Sequence, residues 1–166
     1  MKKFGARFLF VLLLSGVSFA ASAQSREGMI QASVGPGLGM HTPARFDFDV
    51  AGEYFFSDEI SFGLDFDALI RGGSTLSFVP FARYHFDILN SPLFLPYVGA
   101  GAGFMVGTSG GAAFDLMAPD LGFEYELTPR LFVGPDASFH LLMGDRFLGS
   151  STSWDLQIIA RVGYRF

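Results

Sequence analysis

The final fifteen residues, Thr152 to Phe166, read TSWDLQIIARVGYRF and alternate in character almost to the last position. Side chains of an extended strand project to opposite faces in turn. Trp154, Leu156, Ile158, Ala160, Val162, Tyr164 and Phe166 therefore share one face, and Asp155, Gln157, Arg161, Gly163 and Arg165 share the other. A helix would scatter both sets around its surface. One face suits lipid, the other suits water, and the stretch ends on an aromatic residue.

The same period recurs along the chain. Eight segments are predicted as strands, near 29–40, 44–56, 60–70, 76–86, 94–106, 114–127, 130–142 and 153–166, with lengths close to the roughly ten residues that a tilted strand needs to cross a bilayer. In the second, Phe46, Phe48, Val50, Tyr54 and Phe56 oppose Arg45, Asp47, Asp49, Ala51 and Glu53. In the third, Phe62, Leu64, Phe66 and Ile70 oppose Ser61, Gly63, Asp65 and Asp67. Phe78, Pro80, Ala82, Tyr84 and Phe86 oppose Arg83 and His85 in the fourth, and Leu131, Val133, Pro135, Phe139 and Leu141 oppose Asp136, Ser138 and His140 in the seventh. The sixth keeps its parity from Asp120 to Leu127 but is shifted before Pro119, as a β-bulge at that proline would produce. An even count lets a sheet close with both chain ends on one side.

Half of the residues are apolar, with 21 Phe and 21 Gly, yet beyond the first 23 positions no run of 18 apolar residues occurs. Apolar content spread through alternation fits strands in a membrane rather than spanning helices. Residues 1–23 are different: Lys2, Lys3 and Arg7 precede an apolar run from Phe8 to Val17 and the small-residue site Ala21-Ser22-Ala23. That is the pattern of a cleaved secretory signal peptide, too short to span as a helix, leaving residues 24–166 as one domain. Of the eleven basic residues, eight arginines then remain against sixteen Asp and Glu, a net charge of −8 and no lysine. Such a chain lacks the basic footprint for nucleic acid. The absence of cysteine excludes disulfides, thiolate metal sites and cysteine nucleophiles.

With the amino-terminus on the periplasmic side, the periplasmic turns fall at Ser57-Asp58-Glu59, Asp87 to Pro92 and Thr128-Pro129. The external loops then fall at His41 to Pro43, Arg71 to Thr75, Gly107 to Ala113 and Met143 to Thr152. Tyr54, Phe56, Phe62, Tyr84, Phe86, Phe94, Tyr125, Tyr164 and Phe166 gather toward one rim, and Phe46, Phe78, Phe104 and Trp154 toward the other, as two interfacial girdles.

Through PYVGAGAGF (Pro96 to Phe104), the hairpin GFEYELTPRLFVGPDASF (Gly122 to Phe139) and the closing strand, residues 24–166 resemble the small OmpA/OmpX-type outer-membrane barrels. The resemblance implies an all-β fold, an eight-stranded antiparallel up-and-down transmembrane β-barrel in the cell outer membrane. It implies insertion by the barrel assembly machinery through a terminal signal of Val162, Tyr164 and Phe166, and contact with outer-membrane lipids and lipopolysaccharide. A monomer is expected. The sequence stops at Phe166, so the peptidoglycan-binding domain that follows the barrel in some relatives is not expected. Activity is not implied, because the family includes structural, adhesive and enzymatic members.

Parity sends Arg45, Asp47, Asp49, Glu53, Asp65, Asp67, Arg71, Arg83, His85, Asp120, Glu124, Glu126, Arg130, Asp136, His140, Asp155, Arg161 and Arg165 to the interior. An eight-stranded barrel is only wide enough for its own side chains, so these are expected to form a salt-bridged plug. Pairing about the turn at Ser57 to Glu59 sets Asp49 beside Asp67 and Ala51 beside Asp65, and Glu126 is expected to pair with Arg130. Asp47, Asp49, Asp65 and Asp67 offer oxygen ligands that suit a hard ion such as calcium, but no loop has calcium-site spacing and no metal or other cofactor is expected. Asp136-x-Ser138-x-His140, with Asp155 across from His140, contains the parts of a hydrolase. These residues point inward, though, and lack the His-x-Ser order and lipid exposure of the family's lipid A deacylases. Gly99, Gly101 and Gly103 are expected to make room for bulky neighbours such as Tyr97. The reading is a non-enzymatic envelope protein. A narrow ion-conducting pore and a lipid-modifying enzyme are the alternatives.

Overall fold

The computed structural model describes residues 25–40, 44–70, 74–86, 93–107, 111–144 and 152–166. Eight strands run β1 (Ile30–Gly39), β2 (Arg45–Phe55), β3 (Ile60–Ile70), β4 (Ser74–His85), β5 (Phe94–Gly107), β6 (Ala112–Glu126), β7 (Leu131–Gly144) and β8 (Thr152–Arg165). Each pairs antiparallel with its chain neighbours, and β1 with β8 closes the ring. Closure pairs backbone groups that an open sheet would leave bare at its edges, which hydrocarbon does not permit. The predicted signal peptide, Arg71, and most of the predicted loops and the Asp87 to Pro92 turn lie outside the described residues. Several strands extend beyond their predicted ends: β4 begins at Ser74, β6 at Ala112, and β7 reaches Gly144.

Register follows the alternation. Asp49 stands opposite Asp67 and Ala51 opposite Asp65, and His140 stands opposite Asp155. The outer face is apolar from rim to rim, with Phe48, Phe66, Leu116, Ile158 and Val162 among its exposed side chains. Aromatic pairs cross the strands on that face, among them Phe66–Phe78, Phe104–Phe114 and the stacked Phe139–Trp154.

Two turns on the end that carries Ser25 and Phe166 are built alike. The Ser57 hydroxyl accepts from the backbone N–H of Glu59 (3.3 Å) and Ile60 (3.0 Å). The Thr128 hydroxyl accepts from Arg130 (3.3 Å) and Leu131 (3.0 Å), so each hydroxyl satisfies turn donors that no strand can reach. Asp58, at the tip of the first turn, also accepts from the Ser25 hydroxyl (3.0 Å) and the Arg26 backbone N–H. That ties the segment before β1 across the turn.

β6 carries the main irregularity. Between Met117 and Asp120 it advances three residues where β5 advances two, Gly99 to Gly101, and where β7 advances two, Ser138 to His140. Ala118 and Pro119, joined by a cis peptide bond, both face outward. Parity therefore inverts: Ala113, Asp115 and Met117 point inward before the bulge, and Asp120 and Glu124 after it.

The glycines of β5 make room differently than expected. A Cβ on Gly99 would meet Arg83 and Asp120, and one on Gly101 would meet Val79 and Met117, whereas the space beside the Tyr97 ring is left by Gly122.

Candidate functional site

The inward faces of the strands fill the lumen with an ionic lattice. Arg83, from β4, lies at its centre. Its Nε donates to Asp120 at 2.6 Å, and its two terminal nitrogens reach Glu53 at 3.3 Å and Asp136 at 3.0 Å. One guanidinium thereby joins β2, β6 and β7, using the planar fork that lysine lacks. The rings of Phe81 and Tyr97 lie 4.3 and 4.4 Å from its carbon, and the Tyr97 hydroxyl donates to Asp136.

Around that centre the remaining cations divide the carboxylates. Arg161 reaches Asp49 at 3.1 Å, Asp65 at 2.8 Å and Asp136 at 3.7 Å. Arg165 pairs with Glu124 and Glu126 toward the terminal end and donates to Gln31, whose amide in turn donates to Glu53 and Glu124 at 2.7 Å. His85 touches Glu53 at 3.1 Å and the Ser61 hydroxyl at 2.9 Å.

Two apolar clusters add to the plug. Leu69, Met105, Ala113 and Leu142 converge from β3, β5, β6 and β7, and Ala51, Val79, Phe81 and Met117 converge from β2, β4 and β6. A void of about 10 Å³ beside Gln31, Ser33, Tyr97 and Arg161 has room for about one water.

Of the predicted interior residues, Arg45, Asp47, Asp49, Asp65, Asp67, Arg83, Glu124, Asp136, His140, Asp155, Arg161 and Arg165 are buried in the lumen, and Glu126 is half-buried at its rim. Arg130 is not inside. It is exposed at the turn and donates to the Tyr164 hydroxyl at 3.2 Å. The Glu126–Arg130 pair is accordingly replaced by Glu126–Arg165, because Glu126 faces Phe132 in the register and Arg130 falls before the strand begins. Val162, Tyr164 and Phe166 lie on the outer face, and the Phe166 N–H closes the seam on Ile30 at 2.9 Å.

The hydrolase-like set is assembled with a different acid. Ser138 Oγ lies 3.0 Å from His140 Nε2, and His140 Nδ1 lies 2.9 Å from Asp115, not Asp136. Asp136 is committed to Arg83 and Tyr97. The bulge expected at Pro119 falls in β6 between Met117 and Asp120, and it turns Asp115 inward, a residue absent from the predicted interior set. These distances match a nucleophile, base and orienting acid, but Ser138, His140 and Asp115 are 2%, 1% and 0% exposed. The Ser77 hydroxyl occupies the second Asp115 oxygen at 3.0 Å. Both His140 ring nitrogens thus have partners, as a buried histidine requires.

The comparisons bear on the frame and not on this interior. The chain superposes on the N-terminal β-barrel domain of Pseudomonas aeruginosa OprF with a TM-score of 0.59 at 17% identity, over 86% of this chain and 100% of that one. The fold is that of the small eight-stranded outer-membrane β-barrels. Neisserial surface protein A aligns with this barrel at a TM-score of 0.61 and 15% identity, over 82% of this chain and 94% of that one. Ail, the attachment invasion locus protein of Yersinia pestis, aligns with the barrel at 0.54 and 17%, over 84% and 99%. No protein-family profile and no curated sequence matches the chain, so the likeness is one of shape.

Proposed function

We propose that this chain is an integral outer-membrane protein without catalytic activity, whose lumen is sealed by its own side chains and whose role in the envelope is structural or surface-interacting. The observation that carries the reading is Arg83. Held by carboxylates from three strands between two aromatic rings, it obstructs the path that an ion would take. The apolar outer face and the likeness to OprF, neisserial surface protein A and Ail support the location. Export through a cleaved signal at residues 1–23, insertion by the barrel assembly machinery through Val162, Tyr164 and Phe166, and a monomer among lipids and lipopolysaccharide complete the proposal.

Single-channel recording tests it. After a boiled-versus-unboiled gel shift establishes folding, the purified barrel is expected to be silent in a planar bilayer. Discrete conductance steps that change when Arg83 or Asp67 is replaced would overturn the sealed lumen.

A further inference from the structure

We propose that the lumen holds a hard divalent cation of calcium's size, ligated by Asp49, Asp65 and Asp67 with Asp47 as a fourth carboxylate. Asp49 and Asp67 face each other across β2 and β3, and Asp65 is the next inward residue on β3. One oxygen from each of the three lies within 4.8 Å of the others. Calcium binds oxygens at about 2.3–2.6 Å, so opposite ligands stand roughly 5 Å apart and this gathering fits one coordination shell. Like charges directly opposite on a sheet repel. A cation seated between them, or a shared proton, offsets that repulsion.

The second observation is Asp47. It is fully buried on the same inward face as Asp49, it interacts electrostatically with Asp65 and Asp67, and among the described residues no side chain hydrogen-bonds to its carboxylate oxygens. Asp65 and Asp67 each keep an unpartnered buried oxygen as well. A buried charge left without partners is costly in a low-dielectric interior, and Asp65 and Asp67 both belong to the gathering with Asp49.

Protein cations do not fill the need. Among the described residues, the buried set comprises ten carboxylates against four arginines and two histidines. Among the described residues only Arg161 forms ion pairs with this cluster, through Asp49 and Asp65. Arg45, two residues before Asp47 on the same face, forms no ion pair among the described residues, and its Nη2 is unpartnered. Four buried carboxyl groups thus share one paired arginine, and a divalent ion would supply the positive charge that the side chains do not. The donors are oxygen alone, which selects a hard ion over zinc or copper. Calcium's flexible coordination suits carboxylates fixed on strands better than the strict octahedron and retained waters of magnesium.

The test is metal content. The barrel is refolded in detergent with CaCl2, checked by gel shift, passed through a chelator-treated gel-filtration column and assayed by mass spectrometry for metal. About one calcium per wild-type chain is expected, falling to background in the Asp49→Asn/Asp67→Asn variant and retained in Asp58→Asn, whose carboxylate sits on an exposed turn. The double variant relieves repulsion and is expected to fold without calcium, with thermal unfolding that is indifferent to CaCl2 against EGTA, whereas the wild type unfolds at a higher temperature in CaCl2. Wild type that elutes metal-free, equal calcium in the double variant, or loss of calcium in Asp58→Asn would each overturn the site. The first of these would mean that shared protons hold the cluster together.

Discussion

Arg83 ties three strands together through one side chain. Removing it strands Glu53, Asp120 and Asp136 without their shared cation, and breaking a buried pair from one side costs about 3–5 kcal/mol. Arg83→Ala is expected to lose at least that much in denaturant unfolding, and Arg83→Lys to recover only part because it cannot fork to three acceptors. Asp58 offers a milder test at the exposed turn. The Arg26 backbone N–H holds its carboxyl below the ordinary carboxylate range. A depressed folded value contributes stability that is present above the unfolded value, about 3.9, and lost as pH falls through the folded one. The protection factor of the Arg26 amide against hydrogen exchange is accordingly expected to fall at acid pH in the wild type. In Asp58→Asn it should be low at every pH. Single residues are also where the sequence misleads. Arg130 has inward parity yet sits before its strand, while Asp115 has outward parity by extrapolation from Asp120 yet lies inside and orients His140.

At the scale of an element, β6 explains that second case. Its one extra residue moves six positions to the opposite face, and no neighbour carries a compensating insertion. Deleting Ala118 removes one of two consecutive outward residues and restores uniform alternation, with Asp115 and Met117 still inward before Asp120. The deletion variant is expected to reach the heat-modifiable folded form in the gel-shift assay. The other strands show the contrary lesson. In β2 and β3, Phe46 to Phe56 and Ile60 to Ile70 alternate so regularly that the facing of Asp49 and Asp67 follows from the turn alone. Alternation reveals which face a side chain takes, but not which partner it finds across the lumen. The Asp136–Arg83 contact joins residues of β7 and β4 that no strand register relates.

The whole molecule inverts a soluble protein, with apolar rings outside and charges inside. Ile158, midway along β8, is exposed on the outer face, so Ile158→Arg places a charge in hydrocarbon and is expected to cost about 2–4 kcal/mol of folding stability in lipid vesicles. The interior is less uniformly polar than its charges suggest. Leu69, Met105, Leu142 and Ile159 also point inward, and they read in the sequence as ordinary apolar residues among many.

The hydrogen-bonded seam between β1 and β8 has a consequence for connectivity. Every other pairing joins strands adjacent in the chain, and only this one spans nearly its full length. Ser25 and Phe166 emerge at the same rim as the turn from Leu127 to Arg130. A linker between the present ends and a cut in that turn would yield a circular permutant with the same cylinder, in which the slow, long-range pairing falls between β6 and β7 instead. Where the ring shuts is thus a property of the order of the strands and not of the chemistry of the two that happen to meet.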